Sequence, residues 1–173
     1  MVFIKIGMDD PLSLNKKKGE VQVYIEIEQF SNQKYEINKS TGKLELDRGL
    51  EYPYFYPYAY GFIPGTLAAD GDDLDALIIT DKPIKKDNVY KAYIIGVLVM
   101  EDEKGMDEKL LCVLKEESNK ICDISDFSNE VLENVKWFFK NYKNKTPGKW
   151  SNVIGYDNYD YAVKLYNKYL LPT

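Results

Sequence analysis

Residues 70–77 read DGDDLDAL, four aspartates within six positions that run directly into an apolar stretch. Two carboxylates ~4 Å apart repel by roughly 4 kcal/mol at an effective dielectric of ~20, so several facing one space must protonate, separate or bind cations. Gly71 permits a tight turn, and Asp70, Asp72 and Asp75 are spaced to converge while Asp73 points elsewhere. A second acidic stretch, EDEKGMDEK at 101–109, brings Asp102, Glu103 and Asp107 beside Lys109. Glu26, in VQVYIEIE, is a third source. Each alone reads as a solvated acidic surface. Aimed at one space, the three make a site for more than one divalent cation.

The chain contains no histidine. A Ser/His/Asp triad, a Cys/His pair and a histidine-bearing zinc site are therefore excluded. Oxygen-only ligands favour Mg²⁺, Mn²⁺ or Ca²⁺ over zinc or copper. An EF-hand fits poorly, because Leu74 stands where that loop needs an oxygen ligand. Groups able to grip a phosphate are also present. Lys34 and Glu36 share a face of KYEI, Arg48 follows in LDRG, and Lys109 and the pair Tyr142–Lys143 come later. Lysine and arginine clamp phosphoryl oxygens, and phenols donate to them. The plain alternative is solvated surface for the cations and core filler for the tyrosines of FYPYAYG.

These residues need a scaffold. With 173 residues, 45% of them hydrophobic, the chain can bury one core, and one domain over 1–173 is expected. Its longest apolar run, Tyr93–Met100, falls short of the ~20 residues that cross a bilayer, and MVFIKIGMDD lacks a basic segment followed by an apolar one. A soluble, unexported protein with no membrane partner is expected. A net charge of −5 without a long basic run argues against a nucleic-acid partner. Cys112 and Cys122 are too few for a disulfide framework, and Cys112, inside LLCVL, reads as buried and reduced.

Strict alternation over Val21–Glu28 predicts a strand with Glu26 on its polar face. KYEI and KLEL, joined by NKSTG, predict a hairpin. Residues 49–69 read as an ordered loop, since prolines 53, 57 and 64 forbid a continuous helix and disfavour a central strand. Short strands are predicted at Ala76–Thr80, Ala92–Met100 and Lys109–Leu114. The period then turns helical over Asn129–Asn144, capped by Ser128. A last strand over Gly148–Ile154 and a helix over Asp157–Leu170 complete the chain. The expected fold is mainly β (α+β): a five-stranded, OB-like closed β-barrel with additional short strands and two C-terminal α-helices packed on its outside.

In its motifs the chain resembles the family I soluble inorganic pyrophosphatases. The family's Asp-Gly-Asp-Pro-hydrophobic-Asp is matched by Asp70-Gly71-Asp72-Asp73-Leu74-Asp75, in the context of YIEIE, KYEI, LDRG, FYPYAYGFIPGTL, GVLVMEDEKGMDEK and FFKNYKNKTPGKW, from about Val21 to about Tyr166. The resemblance implies an inorganic diphosphatase (EC 3.6.1.1) that cleaves pyrophosphate to two orthophosphates, with several Mg²⁺ per site, Mn²⁺ or another divalent cation being able to substitute. It implies attack by a metal-bridging hydroxide without a covalent intermediate. It further implies that Asp70, Asp75 and Asp107 hold the tighter metals, Asp102 and Glu26 those arriving with substrate, and that Asp72 is the general base. Tyr56 and Tyr60 would stand at the phosphate and water side, Lys34, Arg48, Lys109, Tyr142 and Lys143 would grip the phosphates, and Glu36 and Glu103 would support the network. A cytoplasmic homo-oligomer, commonly a hexamer in bacteria and archaea, is implied as well. Three departures stand out: Asp73 replaces the usual proline, QFSNQ replaces a proline-bearing connection, and the segment before Glu20 is not family-like.

Two other readings use the same residues. A Mg²⁺-dependent hydrolase of another phosphate compound would be expected to show a phosphate-cradling loop, yet GxxxxGK[ST] is absent. A non-catalytic OB-type binding module for oligonucleotides or protein is the other, and the acidic clusters oppose the former ligand.

Overall fold

The computed structural model describes residues 19–173, so the divergent segment ahead of Glu20 lies almost wholly outside the described residues. The first strand, β1 (Glu20–Ile27), forms as the alternation requires: Val21, Val23 and Ile25 are buried, Glu20 and Gln22 exposed. The pattern fails near its end. Glu26 and Ile27 are both buried, and the register with the neighbouring strand slips between Ile25 and Ile27. Glu26 is thus not on a solvent face, because the next hairpin folds over that side and the Ile37 N–H donates to Glu26 Oε2 at 2.9 Å.

That hairpin, β2 (Gln33–Asn38) and β3 (Lys43–Gly49), is a separate two-stranded sheet. Its turn is the predicted one: Asn38 Oδ1 accepts from the Ser40 N–H at 2.9 Å, and Gly42 takes the left-handed φ of 72° that closes it.

The segment 49–69 departs from the expectation of a loop throughout. Ala59–Ile63 is a strand, β4, paired on both edges, with β1 and with β5 (Leu74–Ile78). Pro57 and Pro64 flank it and remove no ladder donor from within, so the prolines bound a central strand. Gly61 makes the close approach possible: a Cβ there would lie 1.8 Å from the Tyr24 carbonyl oxygen.

The long strand β6 (Asn88–Asp102) has three partners in succession: β1 along Asn88–Tyr93, β8 (Lys109–Leu114) along Ala92–Leu98, and β9 (Ser151–Asp157) along Val97–Asp102. Gly105–Met106, β7, extends its tip. Strands run in the order β1–β4–β5–β8–β6, and β6 pairs back onto β1, closing a ring of five. Only β5 and β8 are parallel within it, which sets Asp75 directly beside Lys109.

Two helices complete the fold. The first, α1 (Asn129–Asn141), is capped by Ser128 as predicted, and ends three residues early. The second, α2 (Tyr159–Tyr169), is capped by Asn158, whose side chain accepts from the Tyr161 N–H. Alternate residues of all five ring strands pack with Ala162, Val163 and Leu165 of α2, and a second set packs under Val135, Phe138 and Phe139 of α1. The expected ring with two helices is therefore found. Among the described residues no helix is long and apolar enough to cross a membrane.

Candidate active site

The aspartate loop is built from its own hydrogen bonds. Thr66 Oγ1 donates to the Ile63 carbonyl at 2.6 Å and accepts from the Leu74 N–H at 2.8 Å, bracketing the loop between β4 and β5. Gly71 sits at φ 90°, and the Asp72 N–H donates to Asp70 Oδ1 at 3.0 Å. This turn brings Asp70 and Asp72 to the side faced by Asp75, one residue into β5.

Around them lies a cleft of about 310 Å³. Glu26 reaches it from β1, Lys34 and Glu36 from β2, Arg48 from β3, and Tyr60 from β4. Asp102 ends β6 and Glu103 follows it, Asp107 precedes β8 and Lys109 opens it, and Tyr142 and Lys143 follow directly on α1. Asp70, Asp72 and Asp75 complete the set, so every residue singled out in the sequence lines this space except Tyr56. The Tyr56 ring is buried behind Tyr60, 5.2 Å from it and 4.6 Å from Phe138 between centroids. Asp73 also stays out of the cleft, as expected, and pairs with Lys39 at 2.9 Å.

Lysines balance the acids. Lys109 Nζ, on a side chain only 2% exposed, lies 2.7 Å from both Asp75 Oδ2 and Asp107 Oδ1, and 5.5 Å from the centroid of the Tyr60 ring. Lys143 Nζ lies 2.8 Å from Asp102 Oδ2 and 3.5 Å from Glu103 Oε2. On the hairpin wall Lys34 contacts Glu36 and lies 3.1 Å from Asp47. Burial pushes Glu26 up to about 7, with Asp75 and Glu36 adding to the effect and the Ile37 N–H and Lys34 opposing it. Burial also raises Asp107 against the pull of Lys109, and raises Asp70 against its bond from the Asp72 N–H. For Asp102 burial acts upward, yet the bonds from Lys143 and the Lys104 N–H prevail and hold it below the ordinary range. Burial would strip Lys109 of its proton, but Asp75, Tyr60 and Asp107 together keep it charged.

Among the described residues no three of these carboxylates are drawn tightly enough to ligate one ion between them; the lysines do the gathering. The donor set is nevertheless oxygen only, and carboxylates from four separate segments face one space, which suits hard divalent cations. Arg48 Nε is buried and without a hydrogen-bond partner among the described residues, a donor left over for an anion. Asp47 and Lys149 also line the cleft. Both lie within stretches the sequence had flagged, LDRG and FFKNYKNKTPGKW. Neither was singled out: the signal for Asp47 is its place beside Arg48, whereas nothing local to Lys149 separates it from a surface lysine.

A closed β ring carrying a cleft of carboxylates, lysines, tyrosines and one arginine, with no histidine, serine or cysteine in its lining, suits one class: hydrolases that work on phosphoanhydrides with divalent cations. The family model for inorganic pyrophosphatase matches residues 23–171. The inorganic pyrophosphatase of Helicobacter pylori is 42% identical over 163 residues, 92% of this chain and 94% of that protein. That of Nanoarchaeum equitans is 43% identical over 150 residues, covering 84% and 92%. Among solved structures, a Helicobacter pylori inorganic pyrophosphatase superposes with a TM-score of 0.85 at 41% identity over 89% of this chain and 93% of the other. The Thermus thermophilus enzyme gives 0.82 at 37% identity over 86% and 88%. The chain belongs to the inorganic pyrophosphatase family, and its reaction is the hydrolysis of inorganic pyrophosphate. That membership sets aside both the broader phosphate hydrolase and the binding module.

Proposed function

We propose that the chain, acting as one domain over residues 1–173, cleaves pyrophosphate by direct in-line attack of water on phosphorus, with no phospho-enzyme. One observation carries this reading: acids from β1, the aspartate loop, β6 and β8 face the same cleft as cations from β2, β3, β8 and α1. Asp70, Asp75 and Asp107, with Asp102 and Glu26, would hold Mg²⁺ ions, which when bound act as Lewis acids that lower the pKa of water and offset phosphate charge. Asp72, exposed at the cleft, takes the proton from the attacking water as general base. Tyr60 donates its hydroxyl toward the same region, and Tyr56 holds the Tyr60 ring from behind. Lys34, Arg48, Lys109, Tyr142 and Lys143 bind and orient the phosphoryl oxygens, the guanidinium bidentately. Glu36 and Glu103 fix Lys34 and Lys143 in place. Because phosphoryl transfer is governed by positioning and charge stabilisation, the absence of histidine costs nothing.

Besides Mg²⁺, pyrophosphate is the ligand, with no nucleic-acid or membrane partner, and the assembly is a cytoplasmic homo-oligomer, a hexamer. Phosphate release from pyrophosphate with and without added Mg²⁺ is the test. Turnover is expected only with metal, and Asp72→Asn and Asp75→Asn are each expected to lose ~10²-fold or more with an unchanged circular dichroism spectrum. Release at the wild-type rate from either folded variant would refute the assignment of roles.

A further inference from the structure

The hairpin β2–β3 carries Lys34, Glu36, Asp47 and Arg48 into the cleft, yet no residue of either strand is buried. It shares no strand ladder with the ring. Only half-buried residues of the two strands pack against the body, so a few discrete ties carry much of the hairpin's position. At its base, the Tyr56 N–H donates to the Ser31 carbonyl at 2.9 Å and the Phe30 N–H to the Tyr56 carbonyl at 2.7 Å. Midway, the Ile37 N–H bonds Glu26 at 2.9 Å and the Lys86 ammonium lies 3.8 Å from the Tyr35 ring centroid. Near the tip, Lys39 Nζ reaches Asp73 Oδ1 at 2.9 Å, in the aspartate loop just outside the cleft.

This last tie has the leverage. Lys39 sits in the NKSTG turn, and Asp73 adjoins Asp72 in the aspartate loop. The ammonium lies 6.0 Å from the centroid of the Phe62 ring, and Phe62 is the cross-strand neighbour of Asp75. Beneath the pair lies a cavity of about 130 Å³ that shares Glu26, Glu36, Asp72 and Asp75 with the cleft. Asp73, the residue that departs from the family motif, is turned away from the cleft, and its ion pair is what it does instead.

Resting on the reading above, the geometry points to Lys39 as a positioning residue: paired with Asp73, it latches the hairpin onto the aspartate loop and sets the spacing between the phosphate-gripping and acidic walls. The Lys39 ammonium is bonded to Asp73 rather than to the acids placed on the metals, and the pair acts through Lys34, Glu36 and Arg48. With the Lys39 side chain 59% exposed and that of Asp73 21% exposed, its effect is modest, about twofold to fivefold.

Lys39→Met, Asp73→Asn, the double variant, Lys39→Arg and the exchanged pair Lys39→Asp/Asp73→Lys are compared with wild type in steady-state pyrophosphate hydrolysis at about 50 mM and about 500 mM KCl. Hydrogen exchange of residues 33–49 is followed in parallel. Each single loss of charge is expected to raise KM about threefold with kcat nearly unchanged and to speed exchange of the hairpin amides. The double variant is expected to match a single one, Lys39→Arg and the exchanged pair to recover, and the ratio to wild type to approach one at high salt. A plain field effect behaves differently: removing the negative charge at Asp73 would then lower KM for an anionic substrate. A lowered KM in Asp73→Asn, additive losses in the double variant, or unchanged hairpin exchange overturns the latch. Should the wild-type protein release no phosphate, the mechanism fails, and hairpin exchange still decides the latch.

Discussion

The Lys109 ammonium is buried between two carboxylates, 2.7 Å from each, and that arrangement makes it structural as well as functional. Replacing it by methionine leaves Asp75 and Asp107 facing each other without a cation. Breaking a buried pair in this way costs about 3–5 kcal/mol, so Lys109→Met is expected to lower the Tm of the metal-free protein by roughly 10 °C or more, measured by thermal unfolding in chelator. Cysteine reactivity is decided by the same contrast of burial. Cys112 is fully enclosed and burial pushes its thiol up to about 12, while Cys122 is exposed. A thiolate is the reactive form, so a disulfide reagent at pH 8 is expected to titrate one thiol in the folded protein and two in guanidinium. At this scale the sequence was highly legible for residue types and poorly legible for roles. Glu26 reads as a polar-face residue from its alternation, and only the hairpin above it makes it buried. Tyr56 and Tyr60 are alike in FYPYAYG, yet one ring lines the cleft and the other stands behind it.

Elements whose pattern is local are found where the sequence predicts them: β1, the β2–β3 hairpin, β8 and the Ser128-capped helix α1. The strand β4 is missed, hidden by counting its flanking prolines against it, β5 begins two residues ahead of the predicted Ala76, and β6 runs over Asn88–Asp102 rather than Ala92–Met100. The register of β4 depends on Gly61, since any side chain there would strike the Tyr24 carbonyl. Gly61→Ala must push β1 and β4 apart or bend them, and overpacking of this kind costs about 1–3 kcal/mol, more where backbone is struck. A lower denaturation midpoint in guanidinium with an unchanged slope is the expected result; wild-type stability would show that β1 and β4 are not held in this register. The last strand also moved by three residues at each end, and the last helix by two at its start and one at its end, because the turns of KNKTPGK set where β9 begins.

For the whole molecule the consequence is electrostatic. The ring closes by pairing β6 with β1, and closure brings carboxylates distant in sequence to one mouth, where burial raises Glu26, Asp70 and Asp107. Gathering such charges is unfavourable unless cations offset them. Mg²⁺ that binds only the folded chain adds about 2.7 kcal/mol at ~100 times its Kd. Added Mg²⁺ is therefore expected to raise Tm by about 5–10 °C and chelator to reverse it, read by scanning fluorimetry. An unchanged Tm at saturating Mg²⁺ would mean that the acids do not bind it.

The sequence by itself determined the chemistry on offer: no histidine, acids and phosphate-gripping cations in family order, and alternating segments that must form strands. Those follow from residue identity and nearest neighbours along the chain. Tertiary structure alone decided which charges meet. The parallel pairing that seats Lys109 against Asp75, the hairpin lid over Glu26 and the reach of Lys39 to Asp73 all join residues more than ten positions apart, and contact at that range is fixed by how strands pair and the ring closes, which no local pattern encodes.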